Sequence, residues 1–227
     1  MTSPTAALAA LRAEGDPAKA AEMARYHKTT REVFGVANPI IDALAKDWRA
    51  ACESPSDRVA LADALWRSEA FEACIAAAKL LTQARIPDDG PVWDLIAAWV
   101  PEFDGWAIAD HACSAAARRL SAVPDRLDDV EPWTQATSMW TRRAALVATL
   151  PWAKLTHPTP ADAARRARIQ GRAARNVSDR EGLHQKAVGW WLRTLSKHDP
   201  EAVRAFLASH GDAMKPFAVR EASKHLC

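Results

Sequence analysis

Residues 38–52 read NPIIDALAKDWRAAC, and their spacing decides the fold class. Asn38-Pro39 opens a helix, since a first-turn proline lacks only an N–H that the helix would leave unbonded anyway. Ile41, Leu44 and Trp48 then recur at i, i+3 and i+7, an apolar stripe on the 3.6-residue period. The same grammar extends in both directions. Upstream, Ser3-Pro4 and Asp16-Pro17 start helices and Gly15 separates them. Downstream, Glu69 to Arg85 carries Phe71, Cys74, Ile75, Ala78 and Leu81 as another stripe. Ser178-x-x-Glu181 has the form of a capping box, Asp199-Pro200 sets a cap before a first-turn proline, and Gly211 follows AVRAFLASH as a stop. No run alternates with period two and no Asn-Gly turn occurs. The chain is expected to be all-α.

The 227 residues are 49% hydrophobic and 26% charged, which excludes a disordered chain and supports a packed core. Divergent HEAT-like helix pairs of roughly 40 residues fit the length as a stack, although pattern alone leaves a bundle open. One all-helical domain over residues 1–227 is expected. No stretch approaches the roughly 18–20 uncharged apolar residues of a membrane span. MTSPTAALAALRAEGD has no basic n-region and reaches Arg12 and Glu14 too soon for a signal peptide. Cys52, Cys74, Cys113 and Cys227 are scattered, so neither a disulfide framework nor a metal cluster is expected, and a reducing cytoplasm fits best. No cofactor is implied, and a monomer is the default.

Net charge is +2, but it is unevenly spread. Residues 1–135 carry 14 Lys/Arg against 21 Asp/Glu, whereas residues 136–227 carry 16 against 7. The basic half could face a polyanion. Its densest run is Arg165, Arg166, Arg168, Arg172 and Arg175, of which 165, 168, 172 and 175 share a helix side. A solvated helix face is one reading of such a run. The charge asymmetry and the phosphate-matching fork of arginine favour phosphate contact.

Sequences for a P-loop, a dinucleotide turn, a zinc-protease helix or a nucleophile elbow are absent. His27, His111, His157, His184, His198, His210 and His225 show no ligand spacing. In Asp110-His111-Ala112-Cys113, neighbouring His and Cys point apart on a helix, so Cys113 reads as a small buried residue. Ten of the sixteen aromatic residues are Trp and only one is Tyr, an imbalance that core filling alone does not explain.

Four ordered segments resemble the DNA alkylation repair family of HEAT-like-repeat DNA glycosylases. They are MARYHK (Met23–Lys28) with Phe34-Gly35-Val36 behind it, Trp106-x-x-x-Asp110, Trp140-Thr141-Arg142-Arg143-Ala144-Ala145, and QKAVGWWLRTLSK (Gln185–Lys197). Arg220 to His225 is similar to the family's closing helix. The resemblance implies HEAT-like repeats stacked into a curved solenoid with a concave basic groove. It also implies excision of cationic N3- and N7-alkylated purines from duplex DNA, with the damaged base left in the helix. By this resemblance Asp110 matches the catalytic carboxylate, and Trp106 and Trp190 match the aromatic walls of the site. Arg143 matches an arginine beside the DNA backbone, and Tyr26 an aromatic of the first motif. Arg142, Lys186 and Arg193 join them as expected DNA contacts. Where the family usually has a polar or aromatic residue before the site tryptophan, this chain has Gly105.

The chemistry suits these residue types. Alkylation makes the purine a cation and hence a good leaving group, so no general acid is required. One carboxylate can stabilise an oxocarbenium-like sugar and position water, and indole faces add cation–π attraction of about 0.5–2 kcal/mol each. Trp106 and Asp110, at i and i+4, project from one helix face. Of Trp190 and Trp191, set about 100° apart, Trp190 is expected to face a groove and Trp191 to pack inward. The remaining tryptophans, at 48, 66, 93, 99, 133, 140 and 152, are assigned to helix packing. A helical-repeat scaffold that binds DNA or protein without chemistry is the alternative, since a fold does not fix a function.

Overall fold

In the computed structural model, which describes residues 2–226, the chain forms fourteen α-helices joined by short turns and four single 3-10 turns, with no strand among the described residues. Cys227, one of the four cysteines weighed above, lies outside the described residues. Two compact units divide the chain, one ending at Ala122 and the other starting at Val123.

The first unit holds α1 (Pro4–Ala13), α2 (Pro17–His27), α3 (Asn38–Ala51), α4 (Pro55–Arg67), α5 (Phe71–Leu80), α6 (Gly90–Trp99) and α7 (Trp106–Ala122). Helix starts follow the local chemistry. The Ser3 hydroxyl accepts from the Ala6 N–H at 3.2 Å, and Asp16 Oδ1 accepts from Ala18 at 2.9 Å. A full capping box occurs at Ser54 and Asp57, each side chain accepting from the other's backbone N–H at 3.1 and 3.0 Å.

The stripe on α3 is Ile41, Ala45 and Trp48, with Leu44 only half-buried. Helix α5 departs further from an amphipathic reading, because nine of its ten residues are buried. It packs against α3, α4 and α7, and its alanines let those helices approach closely. Arg119 of α7 is fully buried, donating to Asp89 at 2.8 Å and to the Ala84 carbonyl at 3.1 Å, which ties the chain after α5 to α7. Trp66 stacks on Trp99 at 4.3 Å and donates its indole N–H to Glu102.

The second unit holds α8 (Leu127–Val130), α9 (Met139–Val147), α10 (Leu150–Ala153), α11 (Pro160–Arg175), α12 (Gly182–Ser196), α13 (Pro200–His210) and α14 (Pro216–Ala222). Asp199 caps α13 through the Ala202 N–H at 3.1 Å. The capping box read at Ser178 and Glu181 does not form. The Asp179 carboxylate takes the Glu181 N–H at 2.9 Å and the Arg142 guanidinium, so α12 begins only at Gly182.

The arginine run on α11 is also corrected. Arg172 is buried and donates to Glu131 at 2.7 Å, Arg168 and Arg175 pair with the same carboxylate, and Arg168 reaches Asp128 at 2.6 Å. Arg165 pairs with Asp162 and Asp125, and buried Arg166 donates to the Trp152 and Leu155 carbonyls. Arg165, Arg168, Arg172 and Arg175 bind α11 to the acidic 125–131 segment, and Arg166 binds it to the end of α10. The helical spacing was right, but the partners are carboxylates and carbonyls of the chain itself.

Helices α12 and α14 pack closely at Gly189, where a Cβ would lie 3.0 Å from the Ala218 carbonyl oxygen. Of the tryptophans assigned to packing, those at 48, 66, 93, 99, 133 and 152 are buried, while Trp140 is half-buried.

Candidate functional site

A cleft of ≈ 350 Å³ opens in the first unit between α2, α3, α5 and α7. Its construction starts from a carboxylate that sequence reasoning missed. Glu72, fully buried on α5, accepts N–H bonds from Phe34 at 2.9 Å, Gly35 at 2.7 Å and Val36 at 3.1 Å. This pins the loop between α2 and α3. Gly35 adopts φ +84°, and a Cβ there would fall 2.1 Å from the Asp16 carbonyl oxygen, so only glycine fits. A glutamate inside the apolar run AFEACIAAAKLL was the one available signal.

A second tie sets the start of α7. Arg31 donates to Asp104 at 2.7 Å, fixing the turn that delivers Trp106. The Gly105 carbonyl accepts the Ala109 N–H at 3.1 Å as the helix begins, and a Cβ at Gly105 would meet nothing within 4 Å. The departure from the family pattern at Gly105 is therefore not forced by crowding.

Trp106 and Asp110, one turn apart on α7, both line the cleft and both are half-buried. Tyr26 stands 70% exposed at the rim, edge-on to Trp106 with ring centroids 5.9 Å apart. The floor is apolar, with Ile41, Phe71 and Ile75. Two histidines that showed no spacing in sequence meet here, His27 from α2 and His111 from α7. Burial holds His27 below the usual imidazole range, with Glu72 opposing. Burial, helped by Lys79, pushes His111 down to about 4. Both are neutral at neutral pH, so the fixed negative group among the cleft's polar side chains is a carboxylate beside an indole. That pairing favours a cation. Among the described residues no group of three His, Cys, Asp or Glu could hold a metal ion, and no helix is long and apolar enough to cross a membrane. Cys113 is buried.

The other expected site residues lie in the second unit. Trp190 is half-buried on α12, while Trp191 is fully buried. Lys186 is exposed on the same helix. Arg193 pairs with Glu221 of α14. Arg143 is buried and donates to the Leu183 carbonyl at 2.9 Å. Arg142 donates to Asp179 at 2.9 Å and to the carbonyls of Ala136 and Thr137 at 2.8 and 2.7 Å, which makes it an internal clamp on the turn before α12. Gln185 completes that turn, donating to Val177 and Asp179 carbonyls and accepting the Lys215 N–H.

These features define an all-helical protein with a carboxylate-and-indole cleft suited to a cation. The chain belongs to the DNA alkylation repair enzyme family, whose profile matches residues 7–226. Its fold is shared with a predicted DNA alkylation repair enzyme from Enterococcus faecalis, 23% identical, at a TM-score of 0.78 over 94% of this chain and 97% of that one. AlkD2 from Streptococcus mutans is 18% identical, with a TM-score of 0.62 over 83% of this chain and 89% of its own. The smu.31 protein from Streptococcus mutans UA159 is 18% identical, with a TM-score of 0.60 over 83% and 98%. No curated protein matches the chain.

Proposed function

We propose that the chain is a monofunctional DNA glycosylase that hydrolyses the N-glycosidic bond of cationic N3- and N7-alkylated purines in duplex DNA, such as 3-methyladenine and 7-methylguanine. The observation that carries the reading is the placement of Trp106 and Asp110 in one cleft whose histidines are neutral. Asp110 stabilises the oxocarbenium-like sugar and positions the attacking water, and Trp106 presents its π face to the developing cation. The alkylated base leaves as a neutral purine without help from an acid, so the lesion need not be flipped from the helix. Trp190 serves as a second aromatic contact. Lys186, Arg193, Arg143 and Tyr26 contribute to DNA engagement, and Arg142 acts on it through the turn that it clamps. The product is an abasic site for base excision repair.

The test is release of free 7-methylguanine and 3-methyladenine from methylated duplex DNA, without added metal, by the wild type and Asp110→Asn. Release that depends on Asp110 supports the reading. Duplex binding with no release from either protein assigns a non-catalytic DNA-binding scaffold instead.

A further inference from the structure

We propose that His27 is a positioning residue that sets the Trp106 indole and turns the cleft off when it takes up a proton. Its effect on base release rests on the glycosylase reading; its coupling to Trp106 rests on geometry alone. His27 ends α2, where Lys28 in the left-handed region (φ 52°) turns the chain away. Its ring lies between Phe71, at 4.8 Å and 39°, and Trp106, at 4.9 Å and 41°. Tyr26 meets the His27 ring edge-on at 4.9 Å and the Trp106 ring edge-on at 5.9 Å. The indole that would face a cationic lesion is therefore held on its protein side by an imidazole.

A proton changes this contact in two ways. An imidazolium 4.9 Å from the indole centroid satisfies the cation–π attraction that the lesion would otherwise use, and it adds a like charge to the cleft. Nδ1 is also buried with no hydrogen-bond partner. In the neutral ring this atom can stay a bare acceptor. In the imidazolium it must donate, so the ring has to reorient and Trp106 loses its support.

The groups that face His27 are few. Glu72 on α5 and the C-terminal end of α2 favour the proton, and Lys28 is the cation next to it in the chain. Asp110 and His111 of α7 line the same cleft, and α3 contributes uncharged Asn38. Burial outweighs the groups that favour the proton, which leaves the ring neutral at neutral pH.

The experiment is single-turnover release of 7-methylguanine from methylated duplex DNA between about pH 5 and 8, each protein scaled to its own rate at about pH 7.5. Wild type, His27→Phe and His27→Gln are compared; the first variant keeps an aromatic ring and neither titrates. Wild type is expected to fall about tenfold per unit on its acid side, and both variants to stay within about threefold until the carboxylate range. In parallel, tryptophan fluorescence of each protein alone is followed over the same range. An acid quench present in the wild type and missing from both variants reports the His27–Trp106 contact. Coincident acid limbs in the three proteins overturn the switch, and so does a quench that the variants retain. If no protein releases base at any pH, the glycosylase reading fails. The fluorescence titration then decides the coupling by itself.

Discussion

The Glu72 carboxylate lies 2.7 Å from the Gly35 backbone nitrogen, and the same side chain also serves the N–H groups of Phe34 and Val36. A helix in the centre of the first unit thus holds the loop that walls the cleft. Glu72→Gln keeps the shape but replaces one acceptor oxygen with a donor. It is expected to cost about 1–3 kcal/mol of stability, and Glu72→Ala more, since three buried N–H groups lose their partner. Gly35→Ala should be at least as damaging, because both backbone conformation and space exclude a Cβ. Thermal or denaturant unfolding checks all three.

Asp110 and Trp106 make separable contributions under the proposed chemistry. Asp110→Asn should lower the single-turnover rate by about 10²-fold or more, as expected on losing a group aimed at developing charge. Trp106→Phe should retain more activity than Trp106→Ala, since a smaller π face remains. Circular dichroism and unfolding curves close to wild type for Asp110→Asn would place its effect in the chemistry.

Acid should weaken the second unit through His184. This imidazole is fully buried at the start of α12, and neither ring nitrogen has a hydrogen-bond partner. Burial pushes its pKa down to about 4, with Arg142 and Arg143 adding and Asp179 opposing. The unfolded chain takes a proton near the ordinary histidine value and the native state resists it. Stability is therefore full above about pH 6.5 and drains as pH falls towards 4, by on the order of 2–3 kcal/mol. Unfolding of wild type and His184→Gln across that range should show a shallower slope for the variant.

Cations in the second unit should fall into two kinds. Arg172→Ala removes a buried guanidinium bonded to Glu131 and the Leu127 carbonyl, and is expected to destabilise by about 3–5 kcal/mol. Lys186→Ala, on an exposed face, should leave stability within about 0.5 kcal/mol of wild type. Under the proposed function it should also weaken duplex binding and reduce the salt-dependence slope by about 1. Binding titrations at several salt concentrations distinguish the two.

The all-α class, the prolines and caps that start α1, α2 and α13, and the side-by-side placement of Trp106 and Asp110 were determined by the sequence. Each depends on neighbours within a turn or two of helix, where spacing alone fixes direction. That Trp191 packs inward while its neighbour Trp190 stays half-buried was legible for the same reason. Only the tertiary structure decided what those side chains meet. The arginine run of α11 finds Glu131 and Asp128 of the chain itself, Asp179 draws α12 to a later start, and Glu72 turns inward from an apolar helix to hold a distant loop. His27 and His111, unrelated in the sequence, line one cleft. These outcomes depend on the desolvation and pairing of groups far apart in the chain, and no local period encodes which charge will be buried or against which partner.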